Sequence, residues 1–454
     1  MIEERSEILE KYQLVVGLEV HAQLLTKSKA YAGDLNAYGS LPNSNTSPLT
    51  LGHPGTLPRV NKKVIEYAIK LGLATNCSIS RSMHFARKNY FYADLPKGYQ
   101  ITQDTTPICT NGFLDVKDAN NENKRIGITR IHIEEDAGKS IHDQDPYNTL
   151  VDLNRAGVPL LEIVSEPDIR SIEEAYNYLA EVRRLVRYLE ICDGNLEEGS
   201  MRCDANVSVM LKGADKFGNR CEVKNMNSLR NVQRAIEYEM KRQIAILEEG
   251  GEIIQQTRSF DAVQGTTFTL RGKEDAHDYR YFPEPDIQPL TLEQSDIDAV
   301  KSEMPPLPNE LFKKYTQELK LSEYDAGILV ESKPIALYFN ELIQHTKNHK
   351  AAANWVIGDV KSYLNQTAKS IDEFPLRPKQ IAEIIALIDS DKVSNSAASQ
   401  QLFPKFVAEP GSSAAAIAER ENLIQESNDD SLEELARKAI NTFPDKAEAY
   451  KKGN

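Results

Sequence analysis

The sequence predicts an α+β protein: an antiparallel-sheet domain followed by an all-α helical region and a helical tail. Three observations predict it. Between residues 13 and about 290, short runs alternate apolar and polar side chains with the two-residue period of a strand. Two of those runs flank a loop containing Gly213 and Gly218, which reads as a hairpin. From about residue 294 the apolar spacing becomes that of helices. The expected domains are 1–293, 294–405 and 406–454.

The first strand is expected over Val15 to Gln23, with Val16, Leu18 and Val20 on one face and Glu19, His21 and Gln23 on the other. Further strands are expected at Ile126 to Ile133, Pro159 to Val164, Met201 to Val209 and Arg220 to Lys224. Ser171, with Glu174 three residues on, marks a helix start before the stripe Ala175, Leu179, Val182 and Leu185. A second helix begins after Ser228 and stops at Gly250–Gly251. The acidic, Pro-containing stretch to Pro308 reads as a linker. Helices are then expected at Ser322–Val330, Pro334–Leu342, Ala351–Leu364 and Pro378–Ile388. The tail offers a turn at Pro410–Ser413 and helices at Ala414–Gln425 and Leu432–Ile440.

Composition limits the function classes. At 40% hydrophobic and 27% charged residues the chain is an ordinary soluble globular protein. No apolar run approaches the roughly 18 residues that suggest a membrane span, and Met1 to Tyr12 lacks the apolar core of a signal peptide. The five cysteines, Cys77, Cys109, Cys192, Cys203 and Cys221, are scattered without a C-x-x-C pair, which fits reduced thiols and a cytoplasmic protein. A net charge of −14 argues against avid non-specific binding of nucleic acid, because neutralising phosphates needs clustered Lys and Arg.

The chemistry lies in the carboxylates. Glu19 and His21 share a strand face, as do Arg202, Asp204, Asn206 and Ser208. The hairpin would bring Asp204 and Asn206 beside Glu222 and Lys224. Glu162 sits inside the apolar run Val158-Pro-Leu-Leu-Glu-Ile-Val164, where a carboxylate is costly unless paired or bound to a cation. Glu134, Glu135 and Asp136 close another strand. Several carboxylates and one imidazole suit Mg²⁺ or Mn²⁺, the ions that bridge ATP phosphates. The plainer reading is that these are solvated polar edges of amphipathic strands. Ala137-Gly-Lys-Ser140 resembles the end of a phosphate-binding loop, but its first glycine would be Ile133, so it is not one.

Longer strings are more specific. Val16-Gly-Leu-Glu-Val-His21, Arg87-Lys-Asn-Tyr-Phe-Tyr92, Ile133-Glu-Glu-Asp-Ala-Gly-Lys139, Val151-Asp-Leu-Asn-Arg155, Gly199-Ser-Met-Arg-Cys-Asp-Ala-Asn206, Glu222-Val-Lys-Asn225 and Asp278-Tyr-Arg-Tyr-Phe-Pro-Glu-Pro-Asp286 together resemble the B subunits of aspartyl/glutamyl-tRNA(Asn/Gln) amidotransferases. The resemblance runs from about residue 13 to the end and is densest before 290. It implies a kinase-like catalytic cradle related in fold to glutamine synthetase. It implies a ligase reaction in which ATP phosphorylates the side-chain carboxylate of Glu-tRNA(Gln) or Asp-tRNA(Asn), and ammonia then displaces the phosphate. It also implies an amidase (A) subunit that supplies ammonia and a small C subunit that clamps the pair.

The resemblance further implies that Glu19, His21, Glu135 and Glu162 hold a metal ion, with Asp204 and Glu222 at a second, ATP-linked cation. Strand parity puts Glu134 rather than Glu135 on the face of His132 unless the strand ends at Glu134, so both stay as candidates, with more weight on Glu135. Arg87, Lys88, Asn206, Lys224 and Asn225 are the candidate phosphate and substrate contacts. Two departures stand out. Ser47 and Thr50 occupy positions where many members carry zinc-binding cysteines, so no zinc is expected. The family's tail normally continues beyond Lys451-Lys-Gly-Asn454 with a basic helix, so the tail reads as truncated. Residues 406–454 carry ten acidic and six basic residues, a local charge of −4, and weak tRNA binding with intact chemistry is the expectation.

Two other readings compete: a non-catalytic tRNA-binding scaffold, and an unrelated ATP-dependent ligase. Clustered carboxylates oppose the first, since a pure RNA surface favours Lys, Arg and aromatic groups. Strings outside the acidic residues oppose the second. No glutaminase nucleophile is evident, because Cys203 falls on the apolar side of its strand and no Ser/Lys-rich amidase segment is present. The purified chain alone should therefore not draw nitrogen from glutamine. Glutamate release from glutamine by a preparation free of other subunits would contradict this.

Overall fold

The computed structural model describes residues 6–272 and 278–425, together with 437, 438, 440 and 442. The chain divides into two compact units, Met1–Leu307 and Pro308–Asn454. In the first, α1 (Ser6–Leu9) leads into β1 (Tyr12–Gln23), and α2 (Lys62–Ala74) precedes four short strands, β2 (Ser78–Ile79), β3 (Ser82–Met83), β4 (Ala86–Asn89) and β5 (Tyr99–Thr102). A long hairpin, β6 (Cys109–Lys117) with β7 (Asn123–Glu135), is followed by the small pair β8 (Lys139–Ile141) and β9 (Leu150–Asp152), then by β10 (Pro159–Ser165). After α3 (Ile172–Tyr188) come the hairpin β11 (Met201–Leu211) and β12 (Cys221–Met226), and α4 (Leu229–Glu248). The unit closes with β13 (Gln256–Asp261), β14 (Thr266–Gly272), β15 (Phe282–Pro283), β16 (Leu290–Thr291) and α5 (Gln294–Ser302).

Nine strands form one sheet in the order β14-β13-β12-β11-β1-β10-β7-β6-β2, antiparallel throughout except for the parallel pair β12–β13. The two faces of its central strands differ because side chains alternate. One face carries Val16, Leu18, Ile131, Ile133, Leu161, Ile163, Ala205 and Val207, all buried in a core shared with α2, α3 and α4. The caps read from sequence set those helices. Ser171 Oγ accepts from Glu174 N at the start of α3, and Ser228 Oγ accepts from Asn231 N at the start of α4. Gly250 follows α4 with φ +79°, the left-handed turn that glycine adopts without strain.

The stretch before Pro308 is not a linker. Its residues 294–302 form α5, whose Ile297 and Val300, three apart, join the first unit's core. The first unit therefore runs to Leu307 rather than to 293.

The second unit is helical as far as it is described. Ser322 caps Glu323–Leu329, and further helices span Lys333–His345, His349–Trp355, Pro378–Asp389 and Ala414–Arg420. His349–Trp355 runs on through Val356–Val360 into Lys361–Thr367, close to the expected Ala351–Leu364. Phe339, Trp355, Ile385 and Phe406 are buried in its interior. The expected helix at Leu432–Ile440 and the tail beyond it lie largely outside the described residues.

The β11–β12 hairpin depends on a close backbone approach at its loop. A Cβ added at Gly218 would collide with the carbonyl oxygen of Val209, whereas one at Gly213 would meet nothing. Gly218→Ala should therefore destabilise the first unit by about 1–3 kcal/mol, the usual cost of overpacking. The check is a lower urea midpoint for that unit at unchanged slope. An unaltered midpoint would show that the loop relaxes freely.

Candidate active site

Strand register assembles the polar face. His21 stands opposite Glu162 on one side and Arg202 on the other, and Glu162 stands opposite His132. The row Arg202–His21–Glu162–His132 thus crosses four strands. Glu19 faces Asp204, and Glu134 lies two residues beyond His132, on the same face.

Close contacts follow from this register. His21 Nε2 is 3.2 Å from Glu162 Oε2 and 3.9 Å from Glu19 Oε1. His132, only 2% exposed, has its Nε2 2.8 Å from Glu134 Oε1 and 3.4 Å from Glu162 Oε2. Glu134 also accepts from Gln100 Nε2 (2.8 Å) and Thr102 Oγ1 (3.0 Å), with Lys88 Nζ 3.9 Å away. Among the described residues, two groups offer ligand atoms within 4.8 Å of one another: Glu19, His21 and Asp204, and His21, Glu134 and Glu162. His21 belongs to both. Of these, His21, Glu134 and Asp204 line a cavity of about 650 Å³, which Lys88, Lys224 and Arg155 also line.

The electrostatics are those of crowded, buried carboxylates. Burial, then Glu162 and Asp204, push the Glu19 carboxyl up to about 7 against the pull of His21 and Lys224. Burial works against charging His132, but Glu162 and Glu134 outweigh it and raise its pKa to about 9. Glu162 is held well below the usual carboxylate range, burial being outweighed by His132 and His21. Glu134 is likewise lowered, with Lys88 the largest force opposing burial. The lysines are raised in return: Lys88 by Glu134, and Lys224 by Asp204 and Glu222, despite burial.

Some expected residues lie elsewhere. β7 continues through Glu135, so the alternation that turns Glu134 into the cavity turns Glu135 away. Glu135 is buried, paired with Lys97, and accepts from Ile101 N at 2.9 Å. Arg87 likewise points away from Lys88 along β4. Its guanidinium binds the buried Glu284 at 2.7 and 2.9 Å and lies 4.1 Å over Tyr99, which ties β15 to β4. Glu222 is held by Lys224 Nζ (2.9 Å) and Thr257 Oγ1 (2.8 Å), and Lys224 also pairs with Asp204. An ammonium therefore already bridges the two carboxylates expected around a second cation. Asn206 lies further along β11, opposite Gly17 and Glu222. Asn225 lines the cavity from a bulge, with φ +67° and its amide donating to Ser259 Oγ.

Four residues, Asp136, Arg155, Arg202 and His132, received no role from the sequence. Buried Asp136 accepts from Gln23 Nε2 and Arg202 Nη2, both at 2.7 Å, and Arg155 Nε is 3.7 Å away. Arg155 and Arg202 thereby gain fixed positions in the cavity wall. His132 was legible as a polar residue between Ile131 and Ile133 on the face of Glu134. At Ser47 and Thr50, the Asp34 carboxylate closes the loop by accepting from the Thr50 hydroxyl and from Ser47 N (3.1 Å), with buried Lys29 Nζ at 3.7 Å.

A histidine raised to about 9 by neighbouring carboxylates, against the effect of burial, makes stability depend on pH. Its folded pKa lies above the unfolded 6.5, so its contribution is complete below 6.5 and is lost as pH rises through about 9. Chelated protein should accordingly lose up to about 3 kcal/mol between pH 6.5 and 9.5 from this group. His132→Asn should flatten that part of the profile. Urea midpoints at several pH values measure it, and a variant with the wild-type slope would show that His132 is not the titrating group.

Comparison with known proteins matches this architecture. The family model described as the GatB/GatE catalytic domain matches residues 14–298, and the GatB domain model matches 337–454. The aspartyl/glutamyl-tRNA(Asn/Gln) amidotransferase B subunit of Trichlorobacter lovleyi is 50% identical over 443 residues, covering 98% of this chain and 92% of the relative. The proteins of the same name from Geotalea uraniireducens and Caldicellulosiruptor bescii are 49% and 47% identical over 446 residues, at the same coverage of both chains. With the carboxylate face inside one matched domain and the helical unit overlapping the other, the chain belongs to the family of aspartyl/glutamyl-tRNA(Asn/Gln) amidotransferase B subunits.

Proposed function

We propose that the carboxylate-lined cavity activates the side chain of a misacylated tRNA with ATP, in a cradle related in fold to glutamine synthetase. The observation that carries this reading is the pair of ligand groups sharing His21, of which His21, Glu134 and Asp204 line a cavity that also carries Lys88, Lys224, Arg155 and Arg202. Carboxylate oxygens with an imidazole suit a hard divalent ion, and Glu19 is pushed to about 7 by burial and by unshielded neighbours that a cation would neutralise. Glu134, Glu162, His21, Glu19 and Asp204 would hold Mg²⁺ or Mn²⁺, which supplies charge neutralisation at the phosphoryl oxygens.

The remaining tasks fall to the chain. Lys88, Arg155, Arg202 and Lys224 place positive charge where a triphosphate and a substrate carboxylate must approach each other. A carboxylate oxygen of Glu or Asp bonds to the γ-phosphorus as the β–γ bridging bond breaks, and ADP leaves. A carboxylate is a poor electrophile, and the acyl phosphate provides the leaving group it lacks. Ammonia then forms the C–N bond, phosphate departs, and the released proton leaves with it. Ammonia comes from a partner amidase subunit, with a small third subunit completing the heterotrimer. The product is Gln-tRNA(Gln) or Asn-tRNA(Asn).

Glu134→Gln in the assembled enzyme should reduce tRNA-dependent ATP cleavage at least about a hundredfold, because a charged ligand is lost while shape is kept. Glu135→Gln should stay within a few-fold, since that carboxylate serves Lys97. tRNA affinity should hold within a few-fold in both variants, because docking of the polynucleotide uses other contacts. The reverse pattern of activities would return the ion to Glu135. Undiminished ATP cleavage in both would leave the scaffold reading standing.

A further inference from the structure

Two aromatic runs far apart in sequence meet beside the cavity. Asn89 fastens them together, its backbone N–H and side-chain amide both donating to Tyr279 O at 3.0 Å and the amide also to Arg280 O at 2.8 Å. Pairing of β15 with β4 sets Phe282 opposite Arg87. The rings then meet edge to face: Tyr90 with Tyr92 at 5.8 Å, Tyr90 with Tyr279 at 6.2 Å, and Tyr279 with Tyr281 at 5.9 Å. Tyr90 lines the cavity, whereas Tyr92 is 57% exposed and Tyr281 42%. So much open aromatic surface in one place marks a binding site. Lys88 joins it to the carboxylates, its Nζ lying 5.1 Å from the Tyr279 ring centre and 3.9 Å from Glu134.

We propose that this aromatic ledge holds the unpaired 3′-terminal adenosine of the aminoacyl-tRNA by stacking. The inference rests on the reading that the amino acid being amidated enters the adjoining cavity. That amino acid is esterified to the terminal ribose, so the base must lie next to the cavity that takes the side chain. Single-stranded ends are held by stacking on aromatic rings beside basic groups, and Lys88 lies over one of these rings. Stacking also suits a chain with a net charge of −14, because it needs no neutralisation of phosphates. ATP fits less well. It brings one base, whereas the ledge leads outward from the cavity over the open rings of Tyr92 and Tyr281, enough for the unpaired nucleotides that precede the terminal one.

The test uses the enzyme assembled with its partner subunits and measures equilibrium binding, which does not require turnover. The probes are full-length tRNA with its natural end, the same tRNA with an abasic terminal nucleoside, and ATP with magnesium. Wild type should bind the abasic tRNA about tenfold more weakly, in the range seen when a stacked base loses its ring. Tyr92→Leu keeps apolar surface but removes an open ring of the ledge. It should bind natural tRNA about tenfold more weakly, no longer distinguish the two ends, and keep both its affinity for ATP and its salt slope. Tyr281→Leu, on the other run, should reproduce the loss of discrimination and guards against misfolding of the first variant. If the variants still discriminate between the ends, or lose ATP instead of tRNA, the proposal is overturned. Absence of tRNA-dependent ATP cleavage in wild type would refute the proposed activity without altering these binding outcomes.

Discussion

The structure depends on keeping carboxylates charged inside a sheet face where water is scarce. Glu134 and Glu162 are nearly inaccessible, and an isolated carboxylate there would be neutralised or would unfold its surroundings. His132 prevents this by touching both, while Lys88 and His21 each reach one of them. Every other feature of the site follows from where the backbone must run to deliver these partners. β10 threads between β1 and β7, so that Glu162 meets an imidazole from each side.

The same constraint explains how the two sheet faces divide their work. Apolar side chains on one face of β1, β7, β10 and β11 pack against helices and fix the register. Once the register is fixed, the opposite face has no freedom, and His21, Glu162 and His132 fall into line. A one-residue slip of β10 would turn Glu162 into the helix-covered core. The bulge between Cys203 and Ala205, opposite left-handed Asn225, adds a local irregularity. It breaks the ladder beside Asp204, where Lys224 reaches across to that carboxylate.

Much of this was legible in the sequence, and the limits have physical causes. Alternation and apolar runs located β1, β7, β10 and β11, and Ser171 and Ser228 located α3 and α4, because pattern and capping act over a few residues. Parity within one strand placed Glu19 with His21, and Asp204 with Asn206, on shared faces, and Glu162 stood out as a carboxylate inside an apolar run, but that these strands meet needed the register. The choice between Glu134 and Glu135 needed the end of β7, which pairing with Pro159 decides from a distant segment. Arg87 misled for a similar reason. β4 has only four residues, and the Glu284 that claims its guanidinium lies 197 residues away. α5 was missed because acidic residues and a following proline suggested a linker, although Ile297 and Val300 already had helical spacing.

The site's charges can be paired almost one to one, and the pairing bears on how a cation would enter. Glu19, Glu134, Asp136, Glu162, Asp204 and Glu222 face Lys88, Arg155, Arg202 and Lys224, which leaves two negative charges. His21 and His132 supply the balance when protonated, and both are raised above the ordinary histidine range. A divalent ion carries the same charge as those two protons. It could therefore enter beside His21 as protons leave, with no change in the net charge that the sheet must bury. On that view the imidazoles hold the ligand carboxylates in place before any ion arrives, so little rearrangement is needed when one does. A face built in this way is a stable part of the fold because the protein carries its own counter-ions.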